Sequence, residues 1–421
     1  MGLPLLLLLT QLGAVTVGNW SLPGDDAAVQ PAEALLTLST AVAQARTASP
    51  RRHAAFVSAE GIREAMRFAG RPPNPLFELR TENWNFSGQP SSPAVDVFAV
   101  LTQPIELGGK REIRQHLASL DSDIADGTLK SLAREIALET VGAYVRSLKA
   151  KSVLEALTTN REGLTMIVTS VGRRVDEGYS PEADLLKFKT EAARVDGDIA
   201  RARLELERSL AALTIAMGGG APVHADQLVE PAPIRPPSAD ARMIAASIAR
   251  HPDVIRATAA VSRSEQLTRA EQARRKPDAL VTGGYKRTEG FDTLVLGAAI
   301  ALPFLERNDA AIARSVGAAH AAEADRHALV QRLSLEADAL VRVAQTITDQ
   351  AAKAPQELLA PAENVRRAAL AAFREGTADV MKLIDAERVY ADVNRAAIEL
   401  RLDALLTTIE ARFAIGEEMI P

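Results

Sequence analysis

The chain has 421 residues, a net charge of −5 and no cysteine, which excludes disulfides, thiolate metal sites, thiol catalysis and a lipid-modified N-terminal Cys. A charge so small for this length argues against a nucleic-acid-binding surface. Aromatic residues make up 4% against 47% apolar residues, so the apolar content is mostly Ala, Leu, Val and Ile, a mixture suited to long helices and helix-on-helix seams.

Residues 3–12 form an apolar run with leucine at 5–9, followed by Gly13, Ala14 and Gly18. This pattern predicts a signal peptide over 1–18, although no Lys or Arg precedes the run. It is too short for a membrane span, which needs about 20 apolar residues. Ala32–Gln44 reads as a first helix, and Pro50 to Gly70 as a second. The Pro-rich stretch after Arg71 ends that helix. Two β-rich runs follow, PLFELRTENWNF and VDVFAVLTQ, which predict a hairpin over about 76–103. The second run has the length of a transmembrane barrel strand, about 9–11 residues.

No proline occurs from Ile105 to Ser180. Within that stretch Ile113, Leu117, Leu120 and Ile124, and then Leu138, Val141, Val145 and Leu148, step by threes and fours, the spacing of a coiled-coil seam. A helix of this length would approach about 100 Å at roughly 1.5 Å per residue. EGYSPEADLL turns the chain at Gly178, and a second long helix runs from Glu182 to Met217, where Gly218, Gly219 and Gly220 stop it. Residues 221–239 are a Pro-rich linker.

The plan then restarts. Residues 19–220 and 240–421 form two repeats, related by a constant offset of 198 positions (376 minus 178) that pairs Gly178 with Gly376, Leu185 with Leu383, Val195 with Val393, Leu204 with Leu402 and Gly218 with Gly416. Ala279–Arg287 and Thr293–Pro303 predict a second hairpin, about 279–303, turning around Thr288, Glu289 and Gly290. In its second strand Leu294, Leu296, Ala298, Ile300 and Leu302 share one face, as in a barrel wall with lipid outside. A long helix from Arg307 is expected to break or kink at Pro355 and Pro361. It leads to the second tip at Gly376 and a final helix. The fold class is therefore mainly α with a small β-barrel part. Four strands cannot close a barrel or leave open edges in lipid, so several chains must share one wall.

RPPNPLFELRTENW, QPIELGGKR (103–111), EGYSPEADLL, RHPDV, ALPFLERN and EGTADVMKLIDAERV, in this order and with the repeat, resemble the TolC-type outer-membrane efflux proteins. QPIELGGKR resembles the heavy-metal cation-efflux (CzcC-like) branch. The resemblance implies a homotrimer whose twelve-stranded barrel lies in outer-membrane lipid, continuous with a periplasmic α-barrel. It implies as partners a periplasmic adaptor (membrane fusion protein) and an inner-membrane resistance-nodulation-division pump. Metal cations are the cargo it favours over organic drugs.

The resemblance also places the gate. Glu177, Gly178, Glu375, Gly376 and Asp379 would form the tips and the adaptor contact. Asp385, Lys382 and Asp184 are the pore-constriction candidates, with Asp184 in the position that ties neighbouring tips together. Lys382 departs from the acidic pattern and is spaced to pair with Asp385 (i, i+3). Gly178 and Gly376 serve a tight turn in either reading. An Asp at a helix start more often caps the helix, and capping is the competing role for Asp184.

His320 and His327, seven apart, read as surface histidines, and no other His cluster appears. No catalytic constellation or nucleotide fingerprint is present, so neither enzymatic activity nor a cofactor is expected. A non-channel periplasmic coiled-coil protein is the rival class. The two apolar-faced hairpins weigh against it.

Overall fold

The computed structural model describes residues 35–83, 95–288 and 290–418. The expected signal peptide, the start of the first helix at Ala32 and most of the first hairpin's loop lie outside them. The elements run α1 (Leu38–Ala48), α2 (Pro50–Phe68), β1 (Leu76–Glu82), β2 (Asp96–Ile105), α3 (Lys110–Asp176), α4 (Glu182–Ala216), α5 (Ala241–Ala249), α6 (Pro252–Arg274), β3 (Ala279–Thr288), β4 (Phe291–Ile300), α7 (Asp309–Ala354), α8 (Ala360–Arg374) and α9 (Val380–Ala414). With 67 residues, α3 is about 100 Å long.

Several boundaries differ from the sequence reading: β4 ends at Ile300, so Leu302, expected on its apolar face, lies outside the strand. The first helix starts at Leu38, because Thr37 and Thr40 close a capping box there. Leu36, expected inside that helix, instead forms a parallel bridge with Leu228 of the linker. At Pro355 the chain does not break. Residues Pro355–Leu359 form a π turn that joins α7 to α8. The wider turn lets the helix pass a residue that has no N–H to donate.

The four strands make one antiparallel sheet in the order β1-β2-β3-β4, so the pairing of β2 with β3 joins the two repeats. Register decides what each face carries. One row aligns Phe77, Leu101, Gly283 and Leu296, and a neighbouring row on the same face aligns Leu79, Ala99, Tyr285 and Leu294. The opposite face carries Glu78, Arg80, Thr102, Thr282, Lys286 and Thr293. The middle of one side of the sheet is thus apolar across all four strands, while the other side sets charged and threonine side chains among Phe98, Val100 and Val295. Leu294, Leu296 and Phe77 are left exposed. On the polar face the Phe98 ring lies between the Arg80 guanidinium at 4.7 Å and the Lys286 ammonium at 4.8 Å.

The helices pack as two antiparallel hairpins, α3 with α4 and α7–α8 with α9, and α9 lies along α3. The largest core cluster gathers Leu38, Val42, Val141, Tyr144, Leu213 and Ile409 where α1, α3, α4 and α9 meet the linker. Tyr144 is fully buried. Its hydroxyl lies 2.7 Å from the Leu36 carbonyl and 2.6 Å from the Val229 carbonyl, and accepts from the Val229 N–H at 3.0 Å. One side chain thereby fastens both the N-terminal segment and the linker to α3.

Candidate functional site at the hairpin tips

Both tips are built the same way. Gly178 (φ +80°) and Gly376 (φ +76°) occupy the left-handed region, which an L side chain adopts only with strain. The Gly178 N–H donates to the Val175 carbonyl at 2.9 Å, and the Tyr179 N–H to that of Arg174 at 2.7 Å. The second tip repeats this: Gly376 donates to Phe373 at 3.2 Å and Thr377 to Ala372 at 2.9 Å. This paired closure satisfies carbonyls that the helix end leaves open. Gly218 and Gly416, the other glycine pair related by the repeat, end α4 and α9 with the same two bonds.

Glu177 and Glu375 follow the last residues of α3 and α8, and both are exposed. Asp379 is the residue before α9, without a side-chain capping bond. Asp184, the third residue of α4, does not cap either; its carboxylate accepts from Lys187 Nζ at 3.2 Å. Asp385 and Lys382 are both exposed on α9. The pairing of Lys382 with Asp385 allowed by their spacing is not formed among the described residues. An acid three residues ahead of a lysine suits the helix dipole, as in Asp184 and Lys187, whereas Lys382 ahead of Asp385 has the opposite sense.

The tips are anchored by a cluster just above them, with Leu164, Val171, Phe188, Phe373, Leu383 and Ile384 buried together. The Phe188 and Phe373 rings meet edge to face at 5.9 Å. Arg174 donates to the Phe373 carbonyl at 3.3 Å and lies over that ring. Sequence reasoning missed the polar lock beside this cluster. The Glu191 carboxylate on α4, 3% exposed, accepts from Arg194 at 2.8 and 2.9 Å and from Arg388 of α9. Burial alone would raise its pKa, but the two guanidiniums outweigh it and hold the carboxyl below its usual range. A signal was available. Phe188, Glu191 and Val195 follow seam spacing, and an acid on an apolar stripe calls for a cation from a neighbouring helix. Glu387, also buried, lies 3.7 Å from Arg366, and burial raises its pKa.

His327 sits 3.0 Å from Glu323 on the exposed side of α7, a pairing the sequence reading did not include. Among the described residues no group of three or more His, Asp or Glu side chains is arranged to hold a metal ion.

Residues 62–219, which include the first strand pair and the first helical hairpin, match the family described as "OEP: Outer membrane efflux protein". The chain is also 27% identical over 322 residues to the cobalt-zinc-cadmium resistance protein CzcC of Cupriavidus metallidurans, covering 75% of this chain and 74% of that protein. Over residues 62–219, then, the chain resembles the outer membrane efflux proteins. Solved structures share its fold. A structure of CusC superposes with a TM-score of 0.74 at 15% identity, covering 90% of this chain and 92% of that one. The outer membrane protein VceC of Vibrio cholerae gives 0.73 at 18% identity, covering 91% and 97%. The family is one of channel proteins rather than enzymes.

Proposed function

We propose that this chain is the outer-membrane exit duct of a tripartite efflux system for heavy-metal cations, assembled as a homotrimer with a twelve-stranded barrel. A periplasmic adaptor would grip the tips, and an inner-membrane resistance-nodulation-division pump would supply the energy. The observation that carries the duct reading is the register of the sheet, which turns Phe77, Leu79, Leu101, Leu294 and Leu296 to one side and Glu78, Arg80, Thr102, Thr282, Lys286 and Thr293 to the other. A wall with lipid on one side and water on the other needs that division. The long helices continue from the sheet without an intervening domain. Metal cations are the cargo suggested by the likeness to a cobalt-zinc-cadmium resistance protein.

In this reading Asp385, Lys382 and Asp184 line the closed end, and Glu177, Glu375 and Asp379 face the adaptor. Opening would shift a population between closed and open bundles. Purified protein in planar bilayers is expected to conduct, and Asp385→Ala to raise leak or alter cation block. A detergent-independent soluble monomer without conductance would falsify the duct. Deleting the chain from its host is expected to lower tolerance to cobalt, zinc or cadmium salts; unchanged metal tolerance with lost tolerance to organic compounds would reassign the cargo.

A further inference from the structure

Asp96, the first residue of β2, is the one buried aspartate among the described residues, at 6% exposure. A buried carboxylate is ordinarily paired with a cation or bound to a metal. Glu191 has two guanidiniums, and Glu387 has that of Arg366. Asp96 forms no ion pair among the described residues. Its Oδ2 accepts from Asn83 Nδ2 at 2.9 Å, while its Oδ1 is buried without a hydrogen-bond partner.

Two more oxygen-bearing side chains stand beside it. Opposite Asp96 on β1 is Glu82. Opposite it on β3, one step beyond the pair of Val97 with Arg287, is Thr288, whose Oγ1 is also buried without a partner. All three belong to the polar face, at the end of the sheet away from the helices. Directly opposed side chains stand about 4.5–5.5 Å apart at Cβ, which lets oxygens from both strands reach one ion. Thr288 and Asp96 could satisfy each other by a hydrogen bond, but that bond is not formed. The cations of this face are held in the next row towards the helices. Arg80 and Lys286 stack on the Phe98 ring at 4.7 and 4.8 Å, and Arg80 also pairs with Glu82 at 3.0 Å. Held there, neither pairs with Asp96.

We propose that Asp96, Thr288 and Glu82 form a calcium site at the far end of the sheet. Asp96 supplies Oδ1, Thr288 its hydroxyl oxygen and Glu82 a carboxylate oxygen beside its contact with Arg80, and water completes the shell. An all-oxygen set with two carboxylates suits a hard cation. Calcium accepts the irregular geometry of such a set, whereas magnesium demands a near-ideal octahedron. Softer transition metals favour nitrogen and sulfur ligands, which this set lacks, so the ion is distinct from the cargo proposed above. It ties β1, β2 and β3 together where no helix holds them, and with them the strand pairing that joins the two repeats. The site lies within one chain and needs neither a second copy nor the duct.

Equilibrium dialysis of the full chain against radioactive calcium, after treatment with a chelator, tests the site. One ion per chain is expected, with a Kd of about 0.1–1 mM, the range of extracellular calcium modules. Asp96→Asn, which keeps the shape and removes the charge, is expected to abolish binding. Thr288→Val and Glu82→Gln are each expected to raise Kd severalfold, and Asp292→Asn, on the opposite face, to leave it unchanged. Calcium is also expected to slow amide exchange in 79–82, 96–99 and 284–288, which binding elsewhere on the surface would not do. Thr288→Val decides the matter if Asp96→Asn does not fold. No calcium bound at about 1 mM overturns the proposal. So do variants at 96 and 288 that bind as the unmodified chain does, or zinc that displaces calcium at equal concentration.

Discussion

Glu191 on α4 holds Arg388 on α9 beside the buried tip cluster, and the carboxylate is almost wholly shielded from water. This contact joins the two helical hairpins of one chain through charge as well as through Phe188 and Phe373.

Replacing Glu191 by Gln leaves the shape and removes the charge. The cost should be about 2 kcal/mol, the scale of a hydrogen bond to a charged group. Amides at the start of α9 should exchange faster with solvent, while those of α7 stay protected. Because the Glu191 carboxyl lies below its usual range in the folded state, its contribution is complete above the unfolded carboxylate value and is lost as pH falls through the folded one. The clamp should therefore hold at neutral and mildly acidic pH, and unchanged exchange in the variant would show that it carries no load.

Tyr144→Phe removes the hydroxyl that fastens Leu36 and Val229. Buried backbone groups lose their partner, for about 1–3 kcal/mol. We expect limited proteolysis to cut near 36 and within the linker, with helix content unchanged by circular dichroism. Resistance equal to the unmodified chain would mean that water replaces the hydroxyl.

His251 gives the core near the chain's end a dependence on acid. It is 4% exposed and accepts from the Asp253 N–H through Nδ1 at 3.2 Å, while Nε2 lies 3.4 Å from Arg134. Burial, and then the Arg134 charge, lower its pKa; Asp253 opposes them more weakly. A depressed histidine stays neutral in the folded state while the unfolded state takes up a proton. Stability should accordingly fall as pH drops below about 6.5. Arg134 also holds the carbonyls of Phe413 and Gly416, so amides near 413–418 should open first. His251→Asn should flatten the thermal-midpoint profile below about pH 6.5, and an unchanged profile would place the acid response elsewhere.

The sheet faces can be told apart by a charge scan. Leu296→Arg puts a cation on the apolar side, at about 2–4 kcal/mol if the site lies near mid-bilayer. Thr282→Arg, on the polar side, should be tolerated. Fractionation should find the first variant depleted from the outer membrane and the second retained. Equal retention of both would remove the assigned inside and outside of the wall.

Much of the helical plan was legible because it is written in short-range pattern. Seam spacing in α3, the Pro-Gly punctuation and the glycines at 178 and 376 each act within a few residues. The π turn was not legible, since a proline specifies only a missing donor and not how the next turn absorbs it. Nor was the start of α1, where the bond between Leu36 and a linker residue far along the chain competes with helix propensity. At the tips the candidate residues were readable, but not that Asp184 pairs with Lys187 while Lys382 and Asp385 stay apart.

By itself, the sequence determined two copies of a helix–hairpin–helix plan and the place of both tips. Periodicity and turn chemistry are local, and a constant offset preserves them. Only the tertiary structure decided which strand faces align and which buried charges meet. A strand's alternation does not set its phase against a partner from the other repeat, and one residue of slip between Leu101 and Gly283 would mix the apolar and polar faces. Likewise, Glu191 and Arg388 each sit on a helix surface open to several neighbours, and the packing of α4 beside α9 makes them a pair.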